Sequence, residues 1–256
     1  LITESMKLAF VDRAHWLGDP AFAKVPKGLV DKGYAKALAG RIDLKKASVV
    51  KTHGTPPRSN EDVFSKHTTH FSCADSEGNW VAITATINTS FGSKVVIPGT
   101  GVMMNNEMDD FSIKPNTPNQ FGLLGMEANK ISPRKRMLSS MTPTLVTHQG
   151  EPFLITGSPG GSTIITTVLQ VIVNLVDHGM SIADAVALPR FHHQWLPDVI
   201  YYGRYGLSPD TITKLRSKGH ELEQRSVLGD ANSIHIVDGV RYGFKDPRHE
   251  GQAVGY

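Results

Sequence analysis

The hydrophobic period of this sequence first changes across the polar stretch Lys51-Thr52-His53-Gly54-Thr55-Pro56-Pro57-Arg58-Ser59-Asn60-Glu61-Asp62. With two prolines and almost no apolar side chains, that stretch has nothing to bury and reads as an exposed linker. Before it the pattern is helical. Met6, Leu8, Ala9 and Phe10 cluster on one side of a turn and a half, Gly18-Asp19-Pro20 stops the run, and a second helix is expected over residues 29–42. After it the period drops to two. Residues 68–73 and 81–87 alternate around a Gly78-Asn79 turn, the pattern of a hairpin. Short strands are expected at residues 102–104, 144–147 and 153–156. Ile165, Val168, Leu169, Ile172 and Val176 then recur at helical spacing after Ser162, with Gly179 as the stop. Shorter helices at 181–187 and 209–218, the second capped by Ser208, precede two strands, 233–237 and 240–244. Helices, strands, helices, strands is the order of helical layers packed on antiparallel sheet, and fits poorly with a regular alternating parallel sheet. Residues 114–136, rich in Pro, Asn, Gly and Lys, are too long for an idle connection and read as a binding or covering loop.

Composition removes several function classes. The 256 residues are 39% hydrophobic and 20% charged, an ordinary globular mix, and the net charge of +3 is too small and scattered to argue for nucleic acid. One cysteine, Cys73, excludes an internal disulfide framework and a cysteine-rich zinc module. The apolar runs are too short to span a bilayer. The sequence opens on Leu1-Ile2-Thr3-Glu4 with helical spacing already under way, so a piece of a longer protein is expected, and the lack of an export signal decides nothing.

Common motifs fail on inspection. Gly99-Thr100-Gly101 lacks the third glycine of a dinucleotide loop, and Gly157-Ser158-Pro159-Gly160-Gly161-Ser162 is neither a nucleophile elbow nor a P-loop. His192-His193 lack a third ligand at a useful spacing and read as structural. Three constellations remain. Gly160-Gly161 open the strongest helix, where bare N–H groups at a positive helix end suit an anion or a developing oxyanion, or where the turn simply needs glycine. In His67-Thr68-Thr69-His70-Phe71-Ser72, Thr68 is an ordinary strand residue unless the preceding peptide bond is broken. It would then hold a hydroxyl and a free α-amine of ordinary pKa about 8, a nucleophile and its base in one residue. Thr86, Asn88, the run Asn105-Asn106-Glu107-Met108-Asp109-Asp110 and Ser139-Ser140 are polar residues set among apolar ones. They suit a zwitterion, acids toward an ammonium and hydroxyls toward a carboxylate, or else they cap turns.

In combination these segments resemble one family. Thr68-Thr69-His70-Phe71-Ser72, Asn88-Thr89-Ser90-Phe91-Gly92, Asn105 to Phe111, Leu138-Ser139-Ser140-Met141-Thr142-Pro143 and Gly157 to Ser162 resemble γ-glutamyltranspeptidase in order and spacing, as do Pro189 to Trp195 and Asp246-Pro247-Arg248. The resemblance covers essentially the whole chain. It implies an α+β N-terminal-nucleophile hydrolase, a four-layer αββα sandwich with two antiparallel sheets between helical layers, present here as a partial chain. It implies a precursor that cuts itself between His67 and Thr68. Residues 1–67, with a cleavable linker at about 48–67, would then be the tail of a large subunit, and 68–256 the small catalytic subunit.

Residue by residue, the resemblance implies Thr68 as nucleophile, Thr86 as the residue orienting its amine, and the Gly160 and Gly161 N–H groups as oxyanion hole. Asn88, Glu107 and Asp110 would hold the α-amino group of a γ-glutamyl moiety and Ser139 and Ser140 its α-carboxylate. Phe121 stands where a tyrosine often sits in a bacterial lid. Glutathione is the implied substrate, the large subunit the implied partner in a heterodimer, the periplasm or the exterior the implied location, and no metal or organic cofactor is implied. The arginine with which the family pairs the substrate carboxylate belongs to the large subunit and is absent here. Two rivals are a glutaryl-cephalosporin-type acylase of the same superfamily, which Asn88, Glu107 and Asp110 disfavour, and a non-catalytic relative.

Overall fold

The computed structural model describes residues 1–57, 69–114 and 116–256, so His67 and Thr68 lie outside the described residues. The chain is α+β. Helix α1, Ile2–Trp16, is not the one-sided helix that the sequence suggests: Glu4, Met6, Lys7, Leu8, Phe10, Val11, Asp12, Arg13 and Ala14 are all buried. A helix buried nearly all round must satisfy its charges locally. Lys7 does so with Glu4 at 3.0 Å and Asp198 at 2.9 Å, and Asp12 accepts from the Tyr34 hydroxyl at 2.6 Å and from Gly54 N–H at 2.7 Å. The Gly54 bond, with Trp16 Nε1 donating to Gly54 O at 3.2 Å, ties the start of the polar stretch back onto α1. The second expected helix is shorter than its pattern. A 3₁₀ turn at Lys27–Val30 is followed by α2, Lys32–Ala39, because Asp31 caps α2 by accepting from Tyr34 N–H at 2.7 Å.

The hairpin appears as β1, His70–Ala74, antiparallel to β2, Trp80–Thr84. The strand expected at 102–104 reduces to one bridge between Val96 and Met103. Strands β3, Thr144–His148, and β4, Glu151–Thr156, join the later β8, Ser233–Val237, and β9, Val240–Phe244, in an antiparallel sheet ordered β3-β4-β8-β9. The β1–β2 hairpin lies against β4 and β8. Helices α3, Thr163–Val176, and α4, Ile182–Ala187, pack on this sheet. Leu154, Val171, Leu175, Ile182, Ala185, Val186 and Ala231 form the core. Burying each large aliphatic side chain there contributes roughly 1.5–3 kcal/mol.

Three strands went unread in the sequence. Phe191–His192 (β5), Val199–Gly203 (β6) and Glu221–Arg225 (β7) form a second sheet, in which β6 and β7 run parallel across α5, Pro209–Ser217. One crossover unit is therefore parallel, whereas all other strand pairs are antiparallel among the described residues. Glu221-Leu222-Glu223-Gln224-Arg225 is too polar to announce a strand. The adjacent histidines are structural, as read. His192 Nδ1 pairs with Thr166 Oγ1 at 2.8 Å and its Nε2 with Gln194 Oε1 at 2.9 Å, while His193 Nε2 pairs with Asp198 at 3.0 Å. Burial lowers both imidazoles to about 4, so they are neutral near pH 7.

Candidate active site

The sheet delivers a glycine turn to one end of the hairpin. Strand β4 ends at Thr156, and Gly157 follows with no room for a side chain, since a Cβ there would fall 2.3 Å from the His70 ring. His70 is held by Thr84 Oγ1 at 2.9 Å and Ser72 Oγ at 3.0 Å. Gly160 and Gly161 then adopt φ of 134° and 57°, conformations that favour glycine, before α3 begins. Their N–H groups donate to no protein acceptor among the described residues. Two open donors thus sit at the positive end of a 14-residue helix. Gly161 carries a further constraint: a Cβ there would lie 2.5 Å from the Phe121 ring, so the ring covers this turn.

Next to it the hairpin closes at Thr69, whose carbonyl accepts from Ala85 N–H. Thr86 follows, and its Oγ1 accepts from Asn88 N–H at 2.8 Å, which bends the chain after β2 and leaves the hydroxyl proton free. Asn88 takes a left-handed φ of 75°. Its Nδ2 donates to Asn106 O at 3.1 Å, so its Oδ1 remains as an acceptor. The same segment leads into a 3₁₀ turn, Glu107–Asp110.

This turn concentrates negative charge in a poorly hydrated place. Both Glu107 carboxylate oxygens are buried without a hydrogen-bond partner. Burial, then the neighbouring Asp110, raises the Glu107 carboxyl to about 7. Burial raises Asp110 to about 6, against the pull of Arg13 and with a push from Asp109. An arriving cation relieves both costs.

The serines lie on a second wall, tied to the acidic turn through Asn129. Ser139 Oγ accepts from Met141 N–H at 3.1 Å, and Ser140 Oγ accepts from Arg13 Nη2 at 2.8 Å. A hydroxyl has one proton, and in both serines a fixed donor already uses an acceptor site, so the protons remain for a ligand anion. Arg13, Ser139 and Ser140 line a cleft of about 360 Å³ between α1 and this segment.

Sequence reasoning missed what joins the walls. Asn129 is buried, donates from Nδ2 to Asp110 O at 2.7 Å and accepts at Oδ1 from Leu138 N–H at 2.9 Å. Asn119 Nδ2 donates to Asp110 Oδ1 at 3.4 Å, and its Oδ1 accepts from Phe121 and Leu123 N–H, both at 3.0 Å. Arg136 clamps Asp19 with Nε at 3.1 Å and Nη2 at 2.7 Å, fastening the end of the loop to the turn after α1. No motif marked these residues; the only signal was a loop too long and too rich in asparagine to be idle. Thr86, Asn88, Glu107, Asp110, Ser139, Ser140, Phe121, Gly160 and Gly161 are linked by these bonds and contacts into one region, whereas Thr68 lies outside the described residues.

Similar proteins agree with one another. A γ-glutamyltranspeptidase family model matches residues 1–256. The chain is 47% identical over 250 residues to the glutathione hydrolase proenzyme of Escherichia coli, covering 97% of this chain and 43% of that protein. It therefore spans less than half the length of that relative. It superposes on a Helicobacter pylori γ-glutamyltranspeptidase T380A mutant with a TM-score of 0.70 and 50% identity, over 71% of this chain and all of that one. A cephalosporin acylase from Bacillus halodurans superposes with a TM-score of 0.85 but 27% identity, over 99% of this chain and 44% of that one. Shape is therefore shared across acylases, whereas sequence sides with one group, and the family model spans every residue: this chain belongs to the γ-glutamyltranspeptidase family.

Proposed function

We propose that the full-length protein is a self-processing γ-glutamyltranspeptidase that cleaves the γ-glutamyl amide of glutathione and related compounds. The observation that carries this reading is a pair of segments joined by Asn129, with acceptors at Asn88, Glu107 and Asp110 on one and free hydroxyl protons at Ser139 and Ser140 on the other, together with the open N–H groups at Gly160 and Gly161. Such a site takes an ammonium on one side and a carboxylate on the other, and leaves the far carbonyl of a glutamyl group for the glycine turn.

In this mechanism the Thr68 hydroxyl attacks the His67 carbonyl, the acyl group passes from the Thr68 nitrogen to its oxygen as the peptide bond breaks, and water hydrolyses the resulting ester, leaving a His67 carboxylate and a Thr68 with free hydroxyl and amine. The precursor becomes a heterodimer of a large subunit ending at His67 and a small subunit of residues 68–256. The solved H. pylori chain supports this division, since 71% of the present chain covers all of it, close to the share that lies beyond His67. Thr86 orients the new amine, which takes the Thr68 hydroxyl proton as the oxygen attacks the γ-carbonyl. The Gly160 and Gly161 N–H groups stabilise the oxyanion, the leaving amine departs with a proton, and a γ-glutamyl ester remains on Thr68. Water or an amino-acid amine then takes the acyl group. Phe121 covers the glycine turn as part of a lid. The rest of the four-layer sandwich would come from the large subunit, and an exported location, periplasmic or extracellular, follows from the family resemblance.

The B. halodurans likeness keeps a glutaryl-type acylase as the second reading. Two partnerless oxygens on Glu107 argue against it, because a glutaryl group brings no ammonium to meet them. The test is an intact-mass spectrum of purified full-length protein, followed by turnover of γ-glutamyl- and glutaryl-p-nitroanilide. A fragment beginning at Thr68 and preference for the γ-glutamyl compound are expected. An uncut chain returns the protein to a non-catalytic role, and preference for the glutaryl compound makes it an acylase.

A further inference from the structure

Arg13 stands apart from the other buried charges of α1. Lys7 is ion-paired with Glu4 and Asp198, and Asp12 accepts two hydrogen bonds, whereas the Arg13 guanidinium, only 9% exposed, hydrogen-bonds to the neutral Ser140 Oγ. It forms no ion pair among the described residues. It lines both the cleft that holds Ser139 and Ser140 and the small cavity beside Asp110, Asn119 and Asn129. A buried cation with one neutral partner, set between hydroxyls and an acid, is a costly arrangement unless it serves the site between them.

We propose that Arg13 is a positioning residue for the carboxylate end of the substrate, fixing Ser140 as an acceptor so that its proton points to the ligand, while balancing the acids of the Glu107–Asp110 turn. The inference rests on the γ-glutamyl reading above. The guanidinium has donors only, so Ser140 accepts from it in every state and its hydroxyl rotor is set before the ligand arrives. The same charge favours ionised Asp110, which faces Arg13 from α1, the neutral Asn119 from the loop, and Asp109 and Glu107 on its own turn.

The test compares full-length wild type with Arg13→Met and Arg13→Lys, using γ-glutamyl-p-nitroanilide and 4-aminobutyryl-p-nitroanilide, which lacks the α-carboxylate. Arg13→Met should cut the preference for the carboxylate-bearing substrate about tenfold or more, mostly through KM. It should also move the acid limb of kcat/KM to higher pH. Arg13→Lys keeps the charge but not the fork, so its acid limb should stay near that of wild type with the preference only partly restored. In a Ser140→Ala background the Arg13→Met effect on preference should shrink toward none. Unchanged preference and pH profile in a cut Arg13→Met protein overturn the inference. So does failure of both Arg13 variants to be cut, which assigns Arg13 to packing. A wild-type protein that turns over neither compound removes the underlying reading instead.

Discussion

The glycine turn and the two-walled cleft are built in opposite ways. The turn is local: Gly157, Gly160 and Gly161 lie within five residues, between a strand and the helix that follows it, and each is forced by a close neighbour or a left-handed φ. The cleft is assembled from distant pieces. Arg13 and Ser140 are 127 residues apart, Asp19 and Arg136 are 117 apart, and Asn129 clasps both walls at once. A local device tolerates almost no substitution but depends on little else. A distributed device loses in smaller steps and depends on every clasp.

The largest predicted effect is at the turn. Gly161→Ala drives a Cβ into the Phe121 ring and strains the backbone, and Gly160→Ala imposes a φ that alanine rarely adopts. Each should lower γ-glutamyl-p-nitroanilide turnover by about 10²–10³-fold, the scale of a lost oxyanion donor. Gly78→Ala is the control, with a positive φ but open space around it, and should leave turnover nearly intact. Equal losses at Gly78 and Gly160 would break the comparison.

At the cleft, Asn129→Ala removes the clasp and leaves Asp110 O and Leu138 N–H without their partner. A loss of about 2 kcal/mol in urea unfolding is expected, with a raised KM. If stability falls while KM stays fixed, the clasp serves the fold alone.

The acids give a prediction of definite sign. Glu107 and Asp110 are raised in the folded protein, so the native state holds protons that the unfolded chain has already released. Their ionisation therefore costs stability, a cost that grows as pH rises from the ordinary carboxylate range to about 7 and is absent below it. Glu107→Gln should flatten this decline in a thermal-melt series from pH 5 to 8 and raise stability at pH 8. It should weaken γ-glutamyl binding at the same time. A variant melting with the wild-type pH slope would place the titration elsewhere.

The smallest effect belongs to the cover. Phe121→Ala uncovers Gly161 without touching either wall, so turnover should change within about tenfold, with hydrolysis gaining on transfer to an added dipeptide. A larger loss would make the ring part of the site.

What the sequence determined alone is local. The hairpin from residue 70, strands at 144–148, 151–156, 233–237 and 240–244, the helix after Ser162, and the Ser208 cap all follow from period and capping chemistry within a few residues. The glycines at 160 and 161 and the acid and serine pairs were legible as residue types suited to anions and zwitterions. Tertiary structure alone decided the rest. The polar β7 is a strand because β6 offers it hydrogen bonds, and α1 is buried nearly all round because partners from residues 34, 54, 140 and 198 reach its charges. Arg13 and Asn129 carry no local signature, since their meaning lies in groups that come close only when the loop folds back onto α1. Period and propensity act over one or two turns of chain, whereas a site's electrostatics depend on distances that only the packed molecule fixes.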